Sequence, residues 1–167
     1  MKRLALLALL AVAACAREAP APEPAAVSFR DQGVPIGSTT RGTLGDLGGD
    51  WVIAQAYPGL PFVAPGMRLR VQPGPEGRTL LRFEGREGVR DLVAASPLPG
   101  RLAVEGGPEL WVLWVDDDFR TAVVGTPDGS LGWIMDRPGQ ASPDRTRAAR
   151  EVLEWSGYDL GRLAGGA

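Results

Sequence analysis

The sequence predicts an all-β fold, a closed eight-stranded antiparallel up-and-down barrel with one α-helix packed outside it at the C-terminal end. Three observations predict it. Short runs rich in Val, Leu, Trp and Phe recur between residues 51 and 136, divided by Gly and Pro. The links between runs are too short for helical crossovers, so successive strands pair antiparallel. One amphipathic stretch follows the last run, between Ser142 and Gly157. At 167 residues the chain is long enough for one domain with a core and too short for two.

Residues 1–14 read as a lipoprotein-type signal peptide. Lys2 and Arg3 form a basic start, Leu4 to Ala11 an apolar run too short to span a bilayer, and Val12-Ala13-Ala14-Cys15 resembles the bacterial lipobox. Cys15 is the one cysteine of the chain and the expected lipidation site. Its acylation leaves no thiol for catalysis, zinc or disulfide chemistry. Ala16 follows it rather than an aspartate, which in bacteria with two membranes permits sorting to the outer membrane. The expected location is therefore the periplasmic face of the outer membrane, held by lipid. Residues 15–43 form the lipidated cysteine, an Ala/Pro/Glu tether over 16–26, and a lead-in that drapes over the domain; the draping stretch continues to residue 48, where Leu44 and Leu47 are the expected anchors.

The barrel domain is expected over 44–167. Its strands are Trp51 to Tyr57, Met67 to Gln72, Thr79 to Glu84, Val89 to Ala95, Leu102 to Glu105, Leu110 to Val115, Phe119 to Gly125 and Leu131 to Asp136. Closing such a sheet removes its edges and leaves an interior just large enough for a small ligand. For the helix, Ser142 is the N-cap, Pro143 fits the first helical position and Asp144 complements the dipole. Ala148, Val152 and Trp155 recur at helical spacing as its buried face, widened by Ala149 and Leu153. Arg147–Glu151 and Arg150–Glu154 are spaced as surface ion pairs, and Gly157 is the stop.

Gly49-Asp50-Trp51 at the head of the first long strand, Arg137 ending the last one, and the aspartate-bearing turn from Asp116 to Arg120 stand in the order of the lipocalin motifs, with the helix following. Over residues 44 to about 163 the chain resembles the lipocalin family. The resemblance implies that Gly49, Trp51, Asp116 and Arg137 close one end of the barrel, the arginine stacking over the indole. A cation over an indole in a dry corner contributes about 2 kcal/mol. Phe119 stands where the family often has Tyr, and Val52 replaces a Tyr after the motif Trp; both keep apolar packing and lose a hydroxyl. The resemblance also implies a container, so the default function is holding an apolar ligand.

Period-two alternation from an inward Trp51 places Ile53, Gln55 and Tyr57 on the inner face. Counting back from Arg137 places Met135 and Trp133 inward, and on the sixth strand Val112 and Trp114 are the inward choice. Phe62, in the apolar loop Pro61-Phe62-Val63-Ala64-Pro65, is expected to act as a lid. These eight residues are the candidate ligand contacts. Arg68 and Arg70 are candidates for holding a polar head at the mouth.

Composition narrows the remaining classes. The chain has no histidine, and its one lysine is Lys2. Imidazole proton transfer, Schiff-base chemistry and imidazole-held haem are therefore absent from a mature chain, and no catalytic residues or cofactor are expected. Removing Lys2 and Arg3 with the leader leaves 16 basic against 20 acidic groups, a formal charge of −4. Without basic clusters, nucleic acid is not an expected partner. Asp116, Asp117 and Asp118 are read as a solvated turn, not a metal site, because neighbours in a strand face opposite ways. The expected function is carriage of a fatty acid or lysophospholipid by a membrane-anchored barrel. The alternatives are an envelope scaffold whose barrel is filled by its own side chains, and an enzyme resting on carboxylates alone.

Overall fold

The computed structural model describes residues 27–166. The signal peptide, Cys15 and the Ala/Pro tether lie outside the described residues. Eight strands close into one antiparallel barrel in chain order: β1 Gly49–Ala56, β2 Arg68–Pro73, β3 Arg78–Gly85, β4 Gly88–Ala95, β5 Arg101–Val104, β6 Glu109–Val115, β7 Thr121–Gly125 and β8 Gly132–Asp136. The seam is β1 against β8, with Val52 opposite Asp136 and Ala56 opposite Trp133. A one-turn helix, α1 (Leu44–Leu47), precedes the barrel, and α2 (Pro143–Trp155) follows it. Within the lead-in, α1 is a single turn whose start is fixed by Thr43 and Asp46 in a reciprocal cap.

Two apolar layers hold the structure. Inside the barrel lie Trp51, Ile53, Leu69, Val71, Leu81, Phe83, Val112, Val124, Trp133 and Met135. Outside it, Ala149 and Leu153 of α2 pack over Trp111, Leu113, Val123 and Ile134, with Phe29, Tyr57 and Tyr158 completing the layer. β7 and β8 are buried along their whole length because each face meets one of these layers.

The bounds of α2 match the capping residues: Pro143 opens it, and Gly157 leaves it in a left-handed conformation at φ +85°. The buried stripe is rotated from the expected one. Ala149 and Leu153 are fully buried and Val152 partly so, whereas Trp155 is 73% exposed. The expected ion pairs are also replaced. Arg147 reaches Asp144 at 2.8 Å, and Arg150 donates to Gln55 Oε1 at 3.0 Å.

The lead-in is packed from Phe29 onward. Arg30, buried at 7% exposure, donates from Nε to the Ser156 carbonyl at 2.9 Å and from Nη1 to the Pro127 carbonyl at 2.7 Å. Five guanidinium donors let one side chain tie three chain segments together, with Val34 O accepting from Nη2. Phe29 N–H donates to Gly129 O at one end of the barrel, and Ser38 Oγ donates to Pro99 O at the other. The segment therefore descends the outside of the barrel from the open end to the closed end.

Candidate functional site

The closed end is built from backbone carbonyls around one cation. Arg137 follows β8, and its guanidinium carbon lies 3.9 Å from the centre of the Trp51 ring. Nη1 donates to Gly48 O at 2.8 Å, Nη2 to Asp46 O at 2.9 Å and Nε to Phe119 O at 3.1 Å. Trp51 Nε1 donates to Leu47 O at 2.8 Å. Gly49 has φ +100°, and a Cβ there would stand 3.1 Å from Arg137 Nη1. Both conformation and space thus select glycine at that position.

Asp116 organises the turn beneath. Its Oδ1 accepts from the backbone N–H of Arg120 at 2.5 Å and of Thr121 at 2.7 Å, and its Oδ2 from Arg120 Nε at 3.0 Å. Burial works to raise its pKa, but these donors more than offset burial and hold the carboxyl below the ordinary aspartate value. The same bonds explain why β7 begins at Thr121 and not at Phe119: the two preceding residues belong to the turn, with Phe119 at φ +54°. The three aspartates do not converge. Asp117 pairs with Arg41 and Asp118 with Arg120.

The candidate ligand contacts divide between the two layers. Ile53, Val112, Trp133 and Met135 are inside the barrel, and Phe62 packs against that interior. Gln55, Tyr57 and Trp114 are outside, against expectation. A β-bulge lies between Ile53 and Gln55 on β1, and another between Val112 and Trp114 on β6. Each adds one residue against its partner strand, and one residue reverses every side chain beyond it. Gln55 therefore meets Arg150 of α2, Tyr57 stacks on Phe29 at 5.1 Å between ring centres, and Trp114 joins the layer under the helix. Ala56 and Val115 take the inward places instead. Arg68 and Arg70 also face outward: Leu69 and Val71 fill the interior between them, and Arg70 forms a two-pronged pair with Asp50 on the surface.

The lower half of the barrel is occupied by its own side chains. An apolar cavity of about 230 Å³ remains at the open end. Phe62, Phe83, Leu92, Leu110 and Trp133 wall it, with Arg90 at its edge. Phe62 meets Phe83 edge-on at 5.4 Å between ring centres, and Phe83 meets Trp133 edge-on at 6.3 Å. The Trp133 indole N–H is buried without a protein acceptor. Arg90 stands opposite Phe83 in the register and so shares the inward phase of Leu92 and Ala94. Its guanidinium lies 5.8 Å from the centre of the Phe62 ring and has no carboxylate partner among the described residues. Sequence alternation on β4 could have found it, since Arg90, Leu92 and Ala94 are spaced by two. A larger cleft of about 950 Å³ runs outside, between α2 and β1. Arg147, Arg150, Glu151 and Glu154 line this open surface trough, which lacks the apolar enclosure of the mouth.

On one side the cavity wall is not closed by strand pairing. Only Ala94 and Ala95 of β4 pair with β5, so the upper part of β4 has a gap between it and the turn Gly106-Gly107-Pro108. Glu105 N–H bonded to Val93 O is the last link below the gap.

Comparison with known proteins agrees with this geometry. The Lipocalin-like domain family matches residues 99–166. Temperature-induced lipocalin-1 of Arabidopsis thaliana is 33% identical over 55 residues, a match spanning 33% of this chain and 30% of the plant protein. Among solved structures, lobster apocrustacyanin A1 aligns with a TM-score of 0.57 at 14% identity, covering 80% of this chain and 91% of that one. Siderocalin Ex-FABP, described as having dual ligand specificities, aligns at 0.54 and 16% identity over 73% of this chain and 92% of its own. The cockroach allergen Per a 4 aligns at 0.55 and 16% identity over 80% and 93%. Residues 99–166 are thus similar to the Lipocalin-like domain, and the closed eight-stranded barrel with one C-terminal helix has the fold of these lipocalin structures.

Proposed function

We propose that this chain is a membrane-anchored carrier of the cell envelope that binds a single-tailed amphiphile, a fatty acid or a lysophospholipid, in the cavity at the barrel mouth. The observation that carries the reading is the cavity itself: apolar walls closed at the bottom, with Arg90, whose guanidinium has no carboxylate partner among the described residues, at the edge. Each methylene taken from water into such a wall is worth about 0.8 kcal/mol. Arg90 then replaces Arg68 and Arg70 as the group that meets an anionic head, because it alone of the three has the inward phase. The mechanism needs no cofactor and no bond-making step.

The volume sets a condition. Sites for small ligands commonly begin near about 300 Å³. At about 230 Å³ the mouth encloses only part of a long acyl chain until the Phe62 loop swings out. The filled lower half favours a second reading, an envelope scaffold that presents its loops to a protein. Native mass spectrometry of protein purified from membranes separates the two. The carrier reading predicts one bound lipid per chain. Lipid-free protein that also fails to take up added palmitate favours the scaffold. The anchor rests on Val12-Ala13-Ala14-Cys15. Cys15→Ala protein should leave the membrane fraction, and its retention there would remove the anchor from the account.

A further inference from the structure

Among the described residues, three of the four exposed large apolar side chains lie at the open end of the barrel. Val27, 59% exposed, stands with the mouth loops Pro58-Gly59 and Pro108. Val89, 63% exposed, opens β4 beside the β3–β4 turn. Trp155, 73% exposed, ends α2, whose first turn reaches the closed-end residue Thr121 through Arg145 and whose last turn carries Ser156 toward Arg30. Only Leu98, 52% exposed, is at the closed end, in the β4–β5 loop. Exposed Trp at one end of a molecule suits a water–lipid boundary, where the ring is apolar and the N–H wet.

The described chain also begins at that end. Val27 and Ser28 run beside Asp128 and Gly129 of the β7–β8 loop. From Cys15 to Val27 is twelve residue steps, a reach of at most about 43 Å at 3.3–3.6 Å each. Seating the closed end on the bilayer would spend most of that reach on the barrel wall, since the eight residues of β1 alone rise about 26 Å. Seating the open end requires almost none of it.

We infer that the open rim rests on the lipid bilayer, so that the mouth cavity and its side gap exchange ligand with the membrane directly and not through water. The inference rests on the lipid anchor proposed above. It adds an orientation that the anchor alone does not give. The rim charges are mixed, with Arg86, Arg90 and Arg162 among Glu87, Glu105 and Asp128. Attachment is therefore apolar and persists at high salt, where surface charge is screened.

The test uses the full chain, expressed with its leader, purified from membranes and reconstituted into phosphatidylethanolamine–phosphatidylglycerol vesicles. Acylated Cys15 leaves an engineered cysteine as the one free thiol. Val89→Cys and Leu98→Cys, both at exposed positions, carry the same polarity-sensitive fluorophore. The orientation predicts a blue shift at position 89, retained in 0.5 M salt, and none at position 98. Silence at both positions, or an equal or larger shift at 98, overturns it while flotation with the vesicles shows the anchor intact. Protein that does not float removes the anchor, and the orientation with it. Palmitate uptake, measured separately in detergent-purified protein, reports on the cavity and is independent of either result.

Discussion

At the scale of single residues, Arg137 does the most with one side chain. It stacks on Trp51 and holds three carbonyls on two segments of the closed end, Asp46 and Gly48 before β1 and Phe119 in the β6–β7 turn. Arg137→Ala removes the cation–π contact, worth about 2 kcal/mol in a dry setting, and strands those carbonyls. Denaturant unfolding should show a loss of about 2–4 kcal/mol, while ligand uptake at the far end of the barrel stays near normal. Two aspartates provide a contrast in sign. Asp116 accepts backbone and Arg120 donors and has a lowered pKa, so its contribution is present above the ordinary value of 3.8 and lost as pH falls below it. Asp136 is raised, chiefly by burial, with a 2.5 Å bond from Thr121 Oγ1 and its Oδ2 unpartnered. Its ionisation costs folding free energy as pH climbs upward from 3.8. Asp116→Asn should therefore cost most at neutral pH and least in acid. Asp136→Asn should compare better with the native chain at pH 7 than at pH 4. Unfolding curves across that range check both, and the same pH trend for the two variants would contradict the assignment.

At the scale of elements, the strand order, the helix and the closed-end motifs were legible because each has a local cause: turn residues, caps, and a fixed order of Gly49, Trp51 and Arg137. Facing was less legible. Ile53, Trp133 and Met135 followed the period of two, but Gln55, Tyr57 and Trp114 did not, because a bulge precedes each of them. A bulge is set by what the strand packs against on both sides, and both faces of β6 read as apolar. For the same reason α2 has more apolar positions than its contact can bury, and Leu153 won over Trp155. Leu153→Ala should cost about 2–5 kcal/mol. Trp155→Ser should change stability by no more than about 0.5 kcal/mol. Comparable losses in the two would place Trp155 back in the core. Arg30 escaped the sequence reading entirely, since an arginine in a Ser/Gly-rich lead-in carries no local sign that three segments meet there.

At the scale of the molecule, the barrel is filled below and open above. The closed end supplies rigidity, the outer layer under α2 locks β6, β7 and β8, and what remains for a ligand is the apolar mouth with Arg90 at its rim. Upper β4 and the Gly106-Gly107 turn are not paired beside that mouth, and the exposed Val27, Val89 and Trp155 share its end of the structure. The most direct measurement titrates the native chain and its Leu92→Trp variant with a fluorescent fatty acid. Leu92 is half-buried on the cavity wall, and an indole there fills the space without entering the closed end. The account predicts saturable uptake of one molecule per native chain and at least a tenfold weaker signal in the variant, with the unfolding midpoint little changed. Uptake that never saturates, or that is equal in both proteins, would contradict it.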